Sequence, residues 1–158
     1  MKRREFVTLL GGAALAWPLA SSAQEAGRTY RVGGVSGSPR SAPFVTAMFD
    51  ELRIAGFIEG QNLIVDWHQY GSRIDMLSEI ATELVKAKVD GIYAAGEAPI
   101  RTAQQATATI PILGGADDMV EAGLVKSLAR PEGNTTGISI FSPELDGKRQ
   151  DILIEAVP

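Results

Sequence analysis

The sequence predicts an α/β fold, a doubly wound, five-stranded parallel sheet flanked by helices. Short apolar runs that predict buried strands alternate along the chain with longer segments whose apolar residues recur every three or four positions, as on one face of a helix. Glycine- and serine-rich loops follow most of the apolar runs. Strands that are separated by helical crossovers pair in parallel, with helices on both faces of the sheet.

The elements follow from these patterns in chain order. The predicted strands are Tyr30–Val35, Leu63–Trp67, Val89–Ala94, Ile110–Leu113 and Gly137–Phe141. The predicted helices are Phe44–Ala55 opened by Pro43, Asp75–Val85, Ile100–Ala108, a short amphipathic helix after Asp118, and Pro143–Ala156. Five strands therefore alternate with five helices.

The first 23 residues predict an export signal rather than part of the fold. Lys2, Arg3 and Arg4 form a basic start, residues 7–16 are an apolar run too short to span a membrane, and Ser21-Ser22-Ala23 is a small-residue cleavage site. The alternative is an N-terminal membrane or lipid anchor, although no cysteine is present to carry a lipid. The paired arginines are also compatible with twin-arginine export, so the sequence leaves the Sec and Tat routes open.

The expected domain organisation is a signal peptide at 1–23, a polar leader at 24–29 and one α/β lobe at 30–158. Cleavage would remove three basic residues and one acidic residue, which moves the formal charge from −4 to −6. An acidic exported domain is a poor partner for nucleic acid. The absence of cysteine excludes disulfides and thiol chemistry, and a single histidine excludes zinc sites built on several His or Cys ligands. No cofactor or metal is expected.

Candidate functional residues lie in the loops at the carboxyl ends of the strands, where parallel sheets bind ligands. These loops are 36–40, 95–99, 114–118 and 141–142, and they offer hydroxyls, backbone N–H groups beside glycines, and charges. Asp118 is better explained as a helix cap, whereas capping and ligand binding both stay open for Ser36 and Ser38. No dinucleotide or phosphate-binding glycine motif is present.

Two further interpretations concern catalysis. Asp117 and Asp118 could in principle bind Mg²⁺ or act as acid and base, but adjacent side chains rarely converge on one atom without a third group. A small exported α/β enzyme that uses Asp117 and His68 is the alternative function. It requires the two side chains to approach within about 3 Å, directly or through one water.

Three segments resemble bacterial ABC-transporter substrate-binding proteins whose lobes are like type I periplasmic binding proteins. They are M-K-R-R-E-F-V-T-L-L-G-G-A-A at the start, G-F-I-E-G-Q-N-L at 56–63 and E-A-G-L-V-K-S-L-A-R-P-E-G-N-T-T-G-I-S at 121–139. The resemblance implies a lobe with strand order 2-1-3-4-5, joined by a hinge to a second lobe that this chain does not supply. It also implies a periplasmic protein that binds a small polar or amino-acid-like solute and delivers it to an ABC permease at the inner membrane.

By position, the resemblance assigns the cleft to the loops after the first, third and fourth strands, joined by the loop after the fifth. The residues carried over as ligand-binding are Ser36, Gly37, Ser38, Gly96, Glu97, Gly115, Ala116, Asp117 and Ser142. Glu97 puts an acid where relatives commonly have small residues, which disfavours an anionic group there and favours a cationic or neutral ligand. A receiver-like scaffold and a truncated, non-functional single lobe remain further alternatives.

Overall fold

The structure is a computed structural model that describes residues 27–140 and 142–156. Its strands are β1 (Tyr30–Ser36), β2 (Leu63–Gln69), β3 (Gly91–Ala95), β4 (Ile112–Ala116) and β5 (Thr135–Ser139). Its helices are α1 (Pro43–Ile54), α2 (Leu77–Lys86), α3 (Glu97–Ala106) and α4 (Ser142–Ala156), and a 3₁₀ turn at Ile74–Met76 leads into α2. The predicted signal peptide and Phe141 lie outside the described residues.

The five strands form one parallel sheet in the order β2-β1-β3-β4-β5, which confirms the predicted fold class. Val35 pairs with Ala94, Ala95 with Gly115, and Ala116 with Ser139. This register brings the carboxyl ends of β1, β3, β4 and β5 to the same edge of the sheet. The loops predicted to bind ligand therefore emerge side by side.

The two faces of the sheet are covered differently. On one face, α2 and α3 bury a continuous apolar core whose most enclosed side chains are Leu84, Ile92, Ile100, Ile112 and Met119. On the other face lies an aromatic group in which the Trp67 ring stacks on Tyr93 at 5.9 Å and meets Phe49 of α1 edge-on at 5.8 Å. Leu113 and Ile138, further along the sheet, are 50% and 66% exposed. Much of the apolar surface beyond α1 is thus open to solvent.

The helix predicted after Asp118 is wrong, because residues 117–134 form turns and bends between β4 and β5. One turn begins when Ala122 N–H donates to the Asp118 carbonyl at 3.1 Å. Gly123 then takes a left-handed backbone with φ of 65°, which ends the turn before a second can form. The apolar spacing that suggested a helix instead serves to bury Met119, Leu124 and Val125 from a loop.

Several element boundaries also differ from those predicted from the sequence, and two of them lie at the predicted ligand-binding loops. Strand β4 begins at Ile112 and runs through Gly114 and Gly115, which were expected to form a turn. Helix α3 begins at Glu97 rather than Ile100, so that the predicted loop 97–99 is its first turn. Pro99 is tolerated there because the first residues of a helix need no N–H donor. Among the described residues, no helix is long and apolar enough to cross a membrane.

Gly137 marks the closest approach between β5 and its neighbours. A Cβ atom at this position would overlap the backbone carbonyl of Gly114 and lie 2.8 Å from the Met119 sulfur. A backbone group cannot move aside as a flexible side chain can. This part of the sheet therefore requires glycine.

We expect Gly137→Ala to destabilise the fold by about 1–3 kcal/mol or more, because relief of the overlap must separate β4 from β5. Gly91→Ala is the matched control, since a Cβ there meets only the Pro111 carbonyl oxygen at 3.7 Å, an ordinary contact. Urea unfolding of both variants measures the difference. Equal midpoints for the two variants would contradict this account of the β4–β5 approach.

The Asp90 carboxylate joins the starts of β1 and β3. It accepts hydrogen bonds from the Arg31 backbone N–H at 2.8 Å and from the Arg28 guanidinium at 2.6 Å. These two donors, the backbone N–H first, hold the pKa of Asp90 below its ordinary value of 3.8. A carboxylate with a lowered pKa stabilises the folded state above the unfolded pKa, and the contribution is lost as pH falls through the folded pKa.

We accordingly expect Asp90→Asn to lower stability modestly at pH 7 and to weaken the loss of stability below about pH 4. The effect should be small because both partners of the ion pair are partly exposed. Thermal unfolding between pH 2 and pH 7 measures it, with Asp75→Asn as the control, since the Asp75 carboxylate has no hydrogen bond or ion pair among the described residues. If, below about pH 4, the unfolding temperature of Asp90→Asn fell as steeply as that of the wild type, the stabilising role of the Asp90 carboxylate would be refuted.

Candidate functional site

The carboxyl edge of the sheet is held together by backbone hydrogen bonds that continue past the strand ends. Gly96 N–H donates to the Gly115 carbonyl at 2.8 Å, and Ile140 N–H donates to the Ala116 carbonyl at 3.0 Å. The loops after β3, β4 and β5 are therefore fixed relative to one another. They form one continuous rim.

Beside this rim lies a groove of about 690 Å³ that opens to solvent. Its wall is apolar and is built by the side chains of Phe44, Met48, Tyr93, Leu113, Ile138 and Ile140. Its rim contains five of the nine residues predicted as ligand-binding, namely Gly96, Glu97, Gly115, Ala116 and Asp117. An apolar wall with a few polar groups at one side is the usual composition of a small-molecule site.

The three carboxylates of the rim have different surroundings. Glu97 accepts a hydrogen bond from Arg101 Nε at 2.9 Å, one helical turn along α3. Asp118 Oδ1 accepts from the backbone N–H groups of Val120 at 2.8 Å and Glu121 at 3.0 Å. The exposed Asp117 carboxylate has no hydrogen bond or ion pair among the described residues. Of the three, Asp117 is the one whose two carboxylate oxygens have no partner among the described residues.

Asp118 therefore has the capping role that the sequence favoured, although it caps a turn rather than a helix. Burial raises the pKa of Tyr93 in the groove wall above its ordinary value, and the hydroxyl is protonated at neutral pH with or without this shift. The phenol is then available as a hydrogen-bond donor as well as an apolar surface. The wall of the groove is electrically neutral, and its charges lie on the rim.

The loop after β1 lies at the same edge but does not line this groove. Ser36 is 1% exposed, and its Oγ accepts a hydrogen bond from the Ser38 backbone N–H at 3.1 Å. Gly37 and Ser38 are partly exposed. The Ser142 backbone begins α4, and its side chain lies outside what the structure describes. Contact of these four residues with a solute stays a prediction, as it does for the five residues on the rim.

The pair proposed for an alternative catalytic function is not brought together. His68 lies on β2 and Asp117 follows β4, and β1 and β3 run between these two strands. Three strand spacings separate them by roughly 14 Å, far beyond one hydrogen bond or one bridging water. Within the described ranges, moreover, no three His, Cys, Asp or Glu side chains are grouped closely enough to hold a metal ion.

Sequence reasoning missed the apolar wall of the groove. Tyr93 was assigned to a mostly buried strand, and Phe44 and Met48 to the buried side of a helix. One signal was present, since Tyr93 alternates with Ile92 and Ala94 and must therefore face the opposite side of the sheet from them. What lies against that face of the sheet depends on the strand order, and the strand order does not follow from composition.

Comparison with known proteins identifies what this architecture resembles. A family profile described as "ABC transporter substrate binding protein" matches residues 38–157. A tyrosine-binding protein of Clostridioides difficile (strain R20291) is 38% identical over 99 residues, which is 62% of this chain and 28% of that protein.

Two solved structures share the fold and part of the sequence. The ligand-free, open form of a substrate-binding protein with adhesive properties from Clostridium difficile is 29% identical, with a TM-score of 0.63 over 70% of this chain and 39% of that one. A conserved domain protein of Vibrio cholerae is 29% identical, with a TM-score of 0.64 over 71% and 39%. The chain thus spans less than half the length of each of these relatives.

The different surroundings of the two adjacent aspartates predict different effects on stability. We expect Asp118→Ala to destabilise the fold by about 1 kcal/mol, because two backbone N–H groups lose their acceptor. Asp117→Ala should leave stability unchanged. Thermal unfolding of the two variants is the measurement, and Asp118→Asn, which keeps an acceptor oxygen, should recover most of the loss. Equal loss in both alanine variants would show that Asp118 has no special role.

Proposed function

Because the chain belongs to the family of ABC transporter substrate-binding proteins, we propose that it is the solute-binding component of an ABC importer. In this proposal the protein is exported to the periplasm and residues 30–158 supply one lobe of a two-lobe site. A small solute binds between the lobes, a hinge permits closure, and the closed form delivers the solute to the permease. The assignment as a binding protein rather than an enzyme is supported by its relatives, which are substrate-binding proteins.

The observation that carries the proposal is the open groove at the carboxyl edge. Its wall exposes Phe44, Leu113, Ile138 and Ile140 to between 50% and 66%. A contiguous group of exposed apolar side chains that is bordered by polar loops is typical of a surface that another domain or a ligand covers. A solute held between two lobes would be enclosed by the second one. A single lobe offers only part of the contacts, so it should bind more weakly than the two-lobe protein.

We propose an amino-acid-like solute, and two features of the groove support this class. The aromatic and aliphatic wall suits an apolar side chain, and the exposed Asp117 carboxylate suits an α-ammonium group. Glu97 bears less on ligand charge than its position suggests, because its carboxylate is paired with Arg101. The C. difficile relative is named for tyrosine, and that amino acid is the first probe to use.

The test is titration calorimetry on the protein released from the cell envelope of its own host, after its intact mass has been measured. L-Tyrosine and the other proteinogenic amino acids are titrated, with simple sugars as a contrasting class. Saturable one-to-one binding of an amino acid supports the proposal. Binding of a sugar alone would overturn the solute class, and no binding to any member of the panel would overturn the function as proposed.

Asp117→Asn tests the role of the carboxylate. If Asp117 pairs with the ammonium group of the solute, the variant should raise Kd about 10-fold or more, because a hydrogen bond to a charged group is lost. Asp50→Asn on the exposed part of α1 removes the same charge away from the groove and is the control. Calorimetry with the tightest amino acid of the panel measures both variants. A similar Kd for the two would contradict a direct contact at Asp117.

A further inference from the structure

Tyr70 occupies a fixed position where β2 ends, next to the loops of the carboxyl edge. Its backbone N–H donates to the Ser36 carbonyl at 3.1 Å, and its carbonyl accepts from Arg73 N–H at 2.9 Å. Its ring packs against the apolar core under α2 and α3. The backbone and the ring together fix where the phenol hydroxyl lies.

The hydroxyl lies between the loop after β1 and the loop after β3. A Cβ atom placed on Gly37 would be 3.5 Å from the Tyr70 hydroxyl oxygen, and one placed on Gly96 would be 3.6 Å from it. Both loops therefore present backbone without side chains to this oxygen. A ligand that lies over Gly37 and Gly96 can reach the hydroxyl without displacing a side chain at either position.

The same hydroxyl has unused hydrogen-bonding capacity. Tyr70 is half-buried, and within the described ranges its side chain makes no hydrogen bond. Tyrosine hydroxyls that are drawn toward the interior usually find a partner. The neighbouring hydroxyl of Ser36 is differently placed, because it is buried and already accepts from Ser38. At this corner of the edge, Tyr70 therefore supplies a polar side-chain group that a solute can reach, and its ring fixes the position of that group.

We propose that the Tyr70 hydroxyl is a ligand contact, which hydrogen-bonds a polar head-group atom of the solute lying over Gly37 and Gly96. The proposal rests on the proposed function, since it extends the same site from the β3–β4 groove toward β1. Gly96 belongs to both regions, because it lines the groove and faces the hydroxyl. The solute would then be held by Asp117 on the β4 side and by Tyr70 on the β1 side.

Tyr70→Phe removes the hydroxyl and keeps the ring that packs on the core. Tyr30→Phe is the matched control, because Tyr30 lies at the start of β1, at the opposite edge of the sheet, where its ring contacts Phe57. The probe is the amino acid of the calorimetric panel that binds the wild-type protein most tightly, starting with L-tyrosine. Thermal unfolding of each variant without solute is measured in parallel.

We expect Tyr70→Phe to raise Kd about 3- to 10-fold, the effect of one neutral hydrogen bond, with an unchanged unfolding midpoint. Tyr30→Phe should change neither quantity. If wild type binds an amino acid and Tyr70→Phe binds it equally well, the Tyr70 contact is refuted while the proposed function stands. An equal loss in Tyr30→Phe, or a loss that accompanies a lower unfolding midpoint, also refutes it. If wild type binds no amino acid, the proposed amino-acid solute fails and the contact fails with it.

Discussion

The position of the candidate site depends on the burial of Met119. Its side chain is fully enclosed and fills the space that Gly114 and Gly137 leave open on two adjacent strands. Enclosure of a methionine side chain stabilises by about 1.5–3 kcal/mol. The Met119 backbone is equally constrained, because its N–H donates to Ser139 Oγ at 3.0 Å and its carbonyl accepts from Leu124 and Val125. The loop after β4 is therefore anchored to the sheet at its second residue beyond Asp117.

This anchor explains how a segment without regular secondary structure can hold functional groups in place. Residues 117–134 have no helix to fix them, yet Met119, Leu124 and Val125 are buried in the core. Asp117 and Asp118 are next to the first of these anchors, at the rim of the groove. Side chains positioned in this way are kept near one geometry without a rigid element of their own. A solute that binds there would meet a preformed surface, which reduces the entropy cost of binding.

The prediction from sequence was accurate for the strands and the sheet, and less accurate for the glycines of β4 and the segment that follows them. Five strands with parallel pairing followed from apolar periodicity, and the sheet order agrees with the order that the family resemblance implied. Gly114 and Gly115 were expected to form a turn after a strand that ended at Leu113, because glycine is common in turns. In the sheet, however, Gly114 faces Ile100 and Met119, where a Cβ would be crowded, so tertiary packing selects glycine within the strand. Tertiary packing also explains why no helix follows Asp118, because the apolar residues of that segment are buried in the core from a loop.

The roles of the residues in the candidate site were harder to predict than the fold, because they depend on neighbours that are remote in sequence. Asp117 and Asp118 are adjacent and chemically identical, yet one carboxylate binds backbone N–H groups and the other is exposed. Serine hydroxyls were the natural candidates in the loop after β1, but Ser36 is buried. A further hydroxyl near that loop, with unused hydrogen-bonding capacity, belongs to Tyr70, 34 residues beyond Ser36. Residue type shows which groups can bind a solute. Only the fold shows which of them are already used to hold the protein together, and the groups that remain are the ones with which recognition of a solute can begin.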